Sequence, residues 1–330
     1  MTAIALPARK RPSPLGAGLF LCVLIGWIAP ALAQSPGADV DWPSDTVIPK
    51  VATSSNADQQ YSLYLPPGYP GQRQWPLLVI LDARGRGESS LRLALDGARA
   101  NGWVVLSSYQ SRSDTNEIGT LRALQALLGE ALQRFAIDRK RIYLAGLSGT
   151  AKTLWTRTDA LAPLLAGMIG CGGGRPPELG ALSKAPAAFF GMAGTEDFNY
   201  FEMRDLDADL ADADATHRLL VFPGPHGWPQ AEGFSEAIDW LDLMAMRDGR
   251  APRRAAWIDA RFAADSSRAM AASGLERWRR LDQLVRDYRG LRDVSKQQAE
   301  ALALQDQPDV KQERARERRL RADELAATER

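Results

Sequence analysis

Seven short apolar runs recur at residues 61–65, 77–81, 103–107, 141–147, 166–170, 188–192 and 218–222, and this recurrence constrains the fold more than any other feature of the chain. The runs are continuously apolar rather than alternating, the pattern of strands covered on both faces. Amphipathic stretches lie between most of them. The clearest, 118–135, places Leu121, Leu124, Leu127, Leu128 and Leu132 on one stripe. Strands separated by helices predict an α/β fold with a mainly parallel central sheet and helices on both faces. Only PPGYPGQRQW separates 61–65 from the next run. That is too short for a crossover helix, so 61–65 is expected to pair antiparallel at one edge.

The α/β region is expected over 46–250, a normal single-domain size. Ahead of it, Arg9, Lys10 and Arg11 precede an apolar run over 15–30 and then Ala31-Leu32-Ala33. This order predicts a signal peptide over 1–33 with cleavage before Gln34, hence a secreted or periplasmic protein with no stable membrane span afterwards. The run is short for a permanent anchor and ends on Pro30. Bulky Leu21 before Cys22 disfavours a lipoprotein signal. Residues 34–45, QSPGADVDWPSD, read as a linker.

Charge and composition exclude several classes. The 41 basic and 40 acidic residues give a net charge of +1, so no global field is directed at nucleic acid. His217 and His226 are the two histidines, and Cys22 and Cys171 the two cysteines. A zinc site built from such residues and a disulfide framework are both unexpected. No metal or organic cofactor is expected.

Residues 251–330 lack strand patterns and carry 18 basic against 14 acidic residues. They are expected to form an α-helical C-terminal extension. Leu275, Trp278, Leu281, Leu284, Val285, Tyr288 and Leu291 recur at three- and four-residue steps on one helix. A helix is expected before it, between Pro252 and Met270, and a polar one after it, from Lys311. The stretch 274–302 faintly resembles a tetratricopeptide-type helix pair, a unit that must dock to bury its apolar face. The extension's charge is read first as a solvated face and second as an aid to docking. Its helices also offer a surface for a protein partner.

The strongest chemical signal is RIYLAGLSGTA at 141–151, a strand entering a serine flanked by Gly146 and Gly149 and leaving as a helix. Such a turn cramps the serine backbone and exposes its hydroxyl at the carboxyl end of the sheet. The Gly149 amide follows it, placed to bind an oxyanion. Taken alone, the motif also fits an ordinary glycine-rich turn. A serine needs a base to act as a nucleophile near neutral pH. His226 follows the last apolar run, in FPGPHGWP at 222–229, and so shares the serine's edge; His217 precedes that run and is expected only to flank it. For the group that orients the imidazole, GTEDFNY at 194–200 supplies Asp197, with Glu196 as second choice. The chain order is then Ser148, Asp197, His226. Cys171, in GMIGCGGGRPP, is read as a small buried residue.

These segments, together with YSLYLPPGY (61–69), WPLLVILDARGRG (75–87) and DRKRIYLAGLSGT (138–150), resemble the α/β-hydrolase superfamily, specifically esterases of the polyhydroxybutyrate depolymerase and feruloyl esterase type. The resemblance implies a Ser148–His226–Asp197 triad, an acyl-enzyme, and a small-molecule or polymeric ester substrate. It also implies a second oxyanion amide, from Arg84 or Ala83, in the loop after the first central strand. Trp228 and Arg84 are expected to line a substrate pocket. Two departures stand out. Thr150 occupies the last glycine of G-x-S-x-G, and Asp82-Ala83 stands where such esterases carry His-Gly. They motivate an alternative, a weakly active or inactive hydrolase-fold scaffold that uses its C-terminal helices for binding.

Overall fold

Eight strands build one sheet in the computed structural model, which describes residues 42–113, 117–180, 182 and 187–328. The expected signal peptide, 1–33, lies outside the described residues, as do 34–41 of the expected linker.

The strands are β1 (Val47–Ala52), β2 (Gln60–Tyr64), β3 (Trp75–Leu81), β4 (Val104–Ser108), β5 (Ile137–Leu147), β6 (Leu165–Cys171), β7 (Ala188–Glu196) and β8 (His217–Pro225), in the order β1-β2-β4-β3-β5-β6-β7-β8. From β4 to β8 every pairing is parallel, while β2 runs antiparallel to both β1 and β4. The run at 61–65 is therefore antiparallel, as its short connection requires, but it is not the edge. Val47–Ala52 lies outside it. Pro49 and the exposed Lys50 interrupt the apolar pattern of this strand, which suits an edge and hides it from a search for apolar runs.

Helices α1 (Gly87–Asn101), α2 (Glu117–Arg134), α3 (Gly149–Trp155), α4 (Thr158–Leu161), α5 (Tyr200–Asp212) and α6 (Ala231–Arg247) connect or follow the strands. Two apolar cores lie on opposite faces of the sheet. In β3, Leu78 and Ile80 join one while Leu77, Val79 and Leu81 join the other. In β5, Tyr143 and Ala145 oppose Ile142 and Leu144 in the same way. The first core is closed by α1 and α6, the second by α2, α3 and α5.

Four more helices follow: α7 (Ala255–Ala271), α8 (Gly274–Tyr288), α9 (Ser295–Gln305) and α10 (Pro308–Thr328). The stripe on α8 does not face water. Leu284, Val285 and Tyr288 enter the same core as Trp240 and Leu241 of α6, while Leu281 packs with Ala269 and Ala301. Charges also cross this junction. Arg218 of β8 donates to Glu236 at 2.6 Å and lies 3.4 Å from buried Asp287, which accepts Trp240 Nε1 at 2.7 Å. Arg254 pairs with Asp242, and Arg261 with Asp239. Part of the extension's charge thus docks it, whereas α10 is exposed over most of its described length.

Candidate active site

Parallel strands deliver their carboxyl ends to one edge of the sheet, and three loops meet there. The first leaves β5 at Ser148, whose backbone adopts φ 56° and ψ −127°. A non-glycine residue in this region costs about 1–3 kcal/mol and persists only where its surroundings enforce it. Here they do. At Gly146 a Cβ would lie 2.6 Å from both Ala151 Cα and Ala151 N, so a side chain there would push α3 off the strand. Ser148 N donates to Cys171 O at 2.8 Å, and Lys152 N to Ser148 O at 3.1 Å.

Thr150 fits this turn by bonding rather than by being small. Fully buried, its hydroxyl accepts Leu147 N at 2.9 Å and lies 2.6 Å from Leu81 O and 2.9 Å from Leu147 O. The side chain ties the serine turn to the end of β3, bonds that a glycine at this position would not make.

Asp197 is the first residue past β7 and His226 the first past β8. His226 Nδ1 lies 2.8 Å from Asp197 Oδ1. A carboxylate only accepts, so Nδ1 carries the hydrogen and Nε2 is left as the basic nitrogen. The Asp197 carboxylate is fully buried and the imidazole one-fifth exposed. Asn199 ties the acid to the turn after β6: its backbone amide donates to Asp197 Oδ1 at 2.8 Å and its side-chain Nδ2 to Gly172 O at 2.7 Å. Glu196, the alternative acid, is exposed. His217 begins β8, about 30 Å of extended chain from His226, and is buried with Nδ1 2.8 Å from Ala215 O and Nε2 3.4 Å from Asp207.

Gly172 and Gly173, just past β6, join Ser148 to this pair. At Gly172, with φ +51°, a Cβ would lie 2.6 Å from Asp197 Oδ2 and 2.9 Å from the imidazole. At Gly173 it would lie 2.3 Å from Ser148 O. The two adjacent residues thus touch the acid–histidine pair and the serine backbone respectively. No hydrogen bond links the Ser148 hydroxyl to His226 among the described residues; catalytic contacts of this kind often tighten only around substrate.

The chain leaving β3 is pinned at three successive carbonyls. Leu81 O is held by Thr150 Oγ1, Asp82 O by Ser111 Oγ at 2.8 Å and Ala83 O by Ser113 N at 3.0 Å. The Arg84 amide donates to Asp82 Oδ1 at 2.8 Å, which commits it inside the loop. Of the two amides expected to bind an oxyanion here, Arg84 is therefore occupied and Ala83 remains. The Arg84 side chain is exposed. Trp228, expected to line a pocket, donates Nε1 to Asp82 Oδ2 at 2.9 Å, packs its ring 4.9 Å from Phe234 and stays partly exposed. Burial pushes the Asp82 carboxyl up, but hydrogen bonds from Arg86 and from the Arg84 and Arg86 amides outweigh it and hold the group below the usual carboxylate range.

Cys171 is buried and its Sγ lies 3.1 Å from Gly227 O. Burial, reinforced by Asp197, raises its thiol far above the ordinary value, so it stays a neutral structural group. Phe198 was not legible as a site residue. It is 77% exposed with its ring 4.1 Å from the His226 ring, forming an apolar shoulder beside the imidazole. No set of three or more His, Cys, Asp or Glu side chains arranged to hold a metal occurs among the described residues. Nor does any described helix have the length and apolarity to cross a membrane.

No family model matches the chain, and no curated protein matches it. Solved structures similar to it include an S-formylglutathione hydrolase from Staphylococcus aureus, 12% identical over 62% of this chain and 99% of that one, with a TM-score of 0.48. A feruloyl esterase module from Clostridium thermocellum, complexed with sinapinate, is 15% identical over 58% and 86%, with a TM-score of 0.45. The esterase LipW from Mycobacterium marinum is 17% identical over 60% and 82%, with a TM-score of 0.47. By its own strand order, its serine turn after β5, and the succession of serine, acid and histidine at the strand ends, the chain has the α/β-hydrolase fold.

Proposed function

We propose that the protein is a serine hydrolase of carboxylic esters. The observation that carries this reading is the 2.8 Å bond between His226 Nδ1 and Asp197 Oδ1, set beside a strained serine turn through Gly172 and Gly173. Ser148 Oγ attacks the ester carbonyl while His226 Nε2 takes its proton. Asp197 holds the imidazole in the required tautomer and stabilises the imidazolium. The amides of Gly149 and Ala83 receive the oxyanion of the tetrahedral intermediate. His226 then protonates the departing alcohol, leaving a Ser148 acyl ester. Water, deprotonated by His226, attacks that ester and releases the acid, and the proton returns to Ser148. Each step uses groups of this chain alone.

The substrate is proposed to be a small-molecule or polymeric ester met outside the cytoplasm, after export directed by residues 1–33. Phe198 beside His226 would give the leaving or acyl group an apolar contact. The two departures that motivated a scaffold reading do not favour it, because Thr150 and Asp82 are both fully bonded within the loops that would do the chemistry.

A fluorophosphonate probe and p-nitrophenyl acetate test the proposal. The wild-type chain is expected to label once and to turn over the ester, and Ser148→Ala to do neither. A folded wild type that does neither would contradict it.

A further inference from the structure

Asp82 has no part in the chemistry above, yet more hydrogen bonds converge on it than on any group there. Oδ1 accepts Arg84 N at 2.8 Å and Arg86 N and Nε, each at 3.1 Å. Oδ2 accepts Arg86 Nη2 at 2.9 Å, Ser90 Oγ at 3.0 Å and Trp228 Nε1 at 2.9 Å. These donors come from three places: the loop after β3, the first turn of α1, and the loop that carries His226. The carboxylate is fully buried, so it depends on these donors, with no water to replace one that is lost. Trp228 is two residues beyond His226, and Ala83 directly follows Asp82. One side chain therefore spans the amide proposed to bind the oxyanion and the loop that bears the base.

We infer that Asp82 is a positioning residue for this site: its carboxylate clamps the oxyanion loop to the histidine loop, so that the Ala83 amide and His226 Nε2 address the same carbonyl. The inference rests on the hydrolase reading. A carboxylate suits the task because it accepts from several directions and offers no donor of its own. An asparagine would turn one of its two ends into a donor facing the donors already there. The energy of this clamp is realised when charge develops on the substrate oxygen, so its loss should fall on turnover rather than on substrate binding.

The test compares wild type with Asp82→Asn and Trp228→Phe. Active sites are counted by stoichiometric fluorophosphonate labelling, and kcat and KM for p-nitrophenyl acetate are expressed per labelled site. Asp82→Asn is expected to lower kcat and the labelling rate constant about 10- to 100-fold with KM changed less than about twofold. Trp228→Phe keeps the ring and removes one donor, and should lower kcat several-fold in the same manner. Because both act through one network, the double variant should lose less than the product of the two. Affinity for a boronic acid, which mimics the tetrahedral intermediate, should fall in parallel with kcat. If Asp82→Asn merely supports the fold, fewer sites will label but each will turn over at the wild-type rate, and the inference is overturned. Wild-type kcat per site in Trp228→Phe overturns it as well, even where Asp82→Asn does not fold. In these outcomes the wild type still labels and turns over. A wild type that does neither removes the hydrolase reading, and this inference with it.

Discussion

A methyl group is the smallest probe of how closely the site is assembled, and Gly172 is where it would be felt most. Its Cβ would meet both members of the acid–histidine pair, on a backbone whose φ of +51° already disfavours a side chain. Gly172→Ala is expected to lower kcat at least about tenfold, as the imidazole is displaced from Asp197. Steady-state kinetics per labelled site would check this, and unchanged turnover would show that the pair tolerates movement. Thr150 tests the same surroundings differently. Thr150→Val keeps the shape but strips Leu147 N of its acceptor and removes the bond to Leu81 O. Leaving such buried groups unpaired costs about 1–3 kcal/mol, measurable as a lower urea midpoint. Gly172 does not stand out in the sequence, and Thr150 does so only as a departure from G-x-S-x-G, with nothing to show what it bonds. Gly172 is one of three consecutive glycines, and the Thr150 partner at Leu81 lies 69 residues away. Ser148, Asp197 and His226 were legible because each lies within a few residues of the end of an apolar run, and because two histidines leave few choices.

Among elements, α2 carries a buried ionised group that the site does not use. Glu130 accepts Ser54 N at 2.8 Å, Tyr61 Oη at 3.1 Å and Arg134 Nη1 at 2.9 Å, tying the helix to β2 and the β1–β2 loop. Burial raises its carboxyl, but hydrogen bonds from Ser54, Arg134 and Tyr61 win and leave it below its ordinary value. A carboxyl depressed in the folded state stabilises fully above its unfolded value, about 4, and loses that stability as pH falls through the folded value. Glu130→Gln should therefore be less stable than wild type at pH 7, with the difference shrinking below about pH 4. Urea midpoints from pH 7 to 3 would show it; a gap constant with pH would contradict it. The junction of α8 with α6 offers a second test at this scale. Leu284→Ala should cost about 2–5 kcal/mol. Asp287→Ala, which strips Arg218 and Trp240 of a shared buried partner, should cost about 3–5 kcal/mol. Both lie on α8, which meets β8 near its start at Arg218 rather than at the carboxyl end that leads to His226, so turnover per labelled site is expected to be unchanged.

The whole molecule explains which features a sequence exposes. The central strands, the serine turn and the edge that carries the acid and base follow from local patterns, because burial on two faces leaves only apolar residues and parallel order sends all carboxyl ends one way. Strand β1 was hidden because an edge strand needs neither continuous burial nor alternation, and Val47–Ala52 has neither. The docking of the C-terminal helices was half legible: the apolar stripe of α8 announces a buried face, whereas its salt links to β8 and α6 depend on residues such as Arg218 and Asp239 that look like surface charge. The Asp82 clamp was invisible, since its partners at 84, 86, 90 and 228 converge only once the sheet has brought two loops together. Described residues from 42 onward belong to one compact unit, and with α8 in the same core as α6 thermal unfolding of sheet and extension should be a single transition. Separate melting of a helical part, seen by calorimetry, would contradict this.

The most direct measurement is a crystal structure of the chain after reaction with a fluorophosphonate. The account predicts phosphorus bonded to Ser148 Oγ, its oxygen about 3 Å from the amides of Gly149 and Ala83, and His226 Nε2 turned to the same group while Nδ1 keeps its bond to Asp197. An adduct on another residue, or on Ser148 with His226 facing away from it, would contradict the claim that these three loops form one catalytic centre.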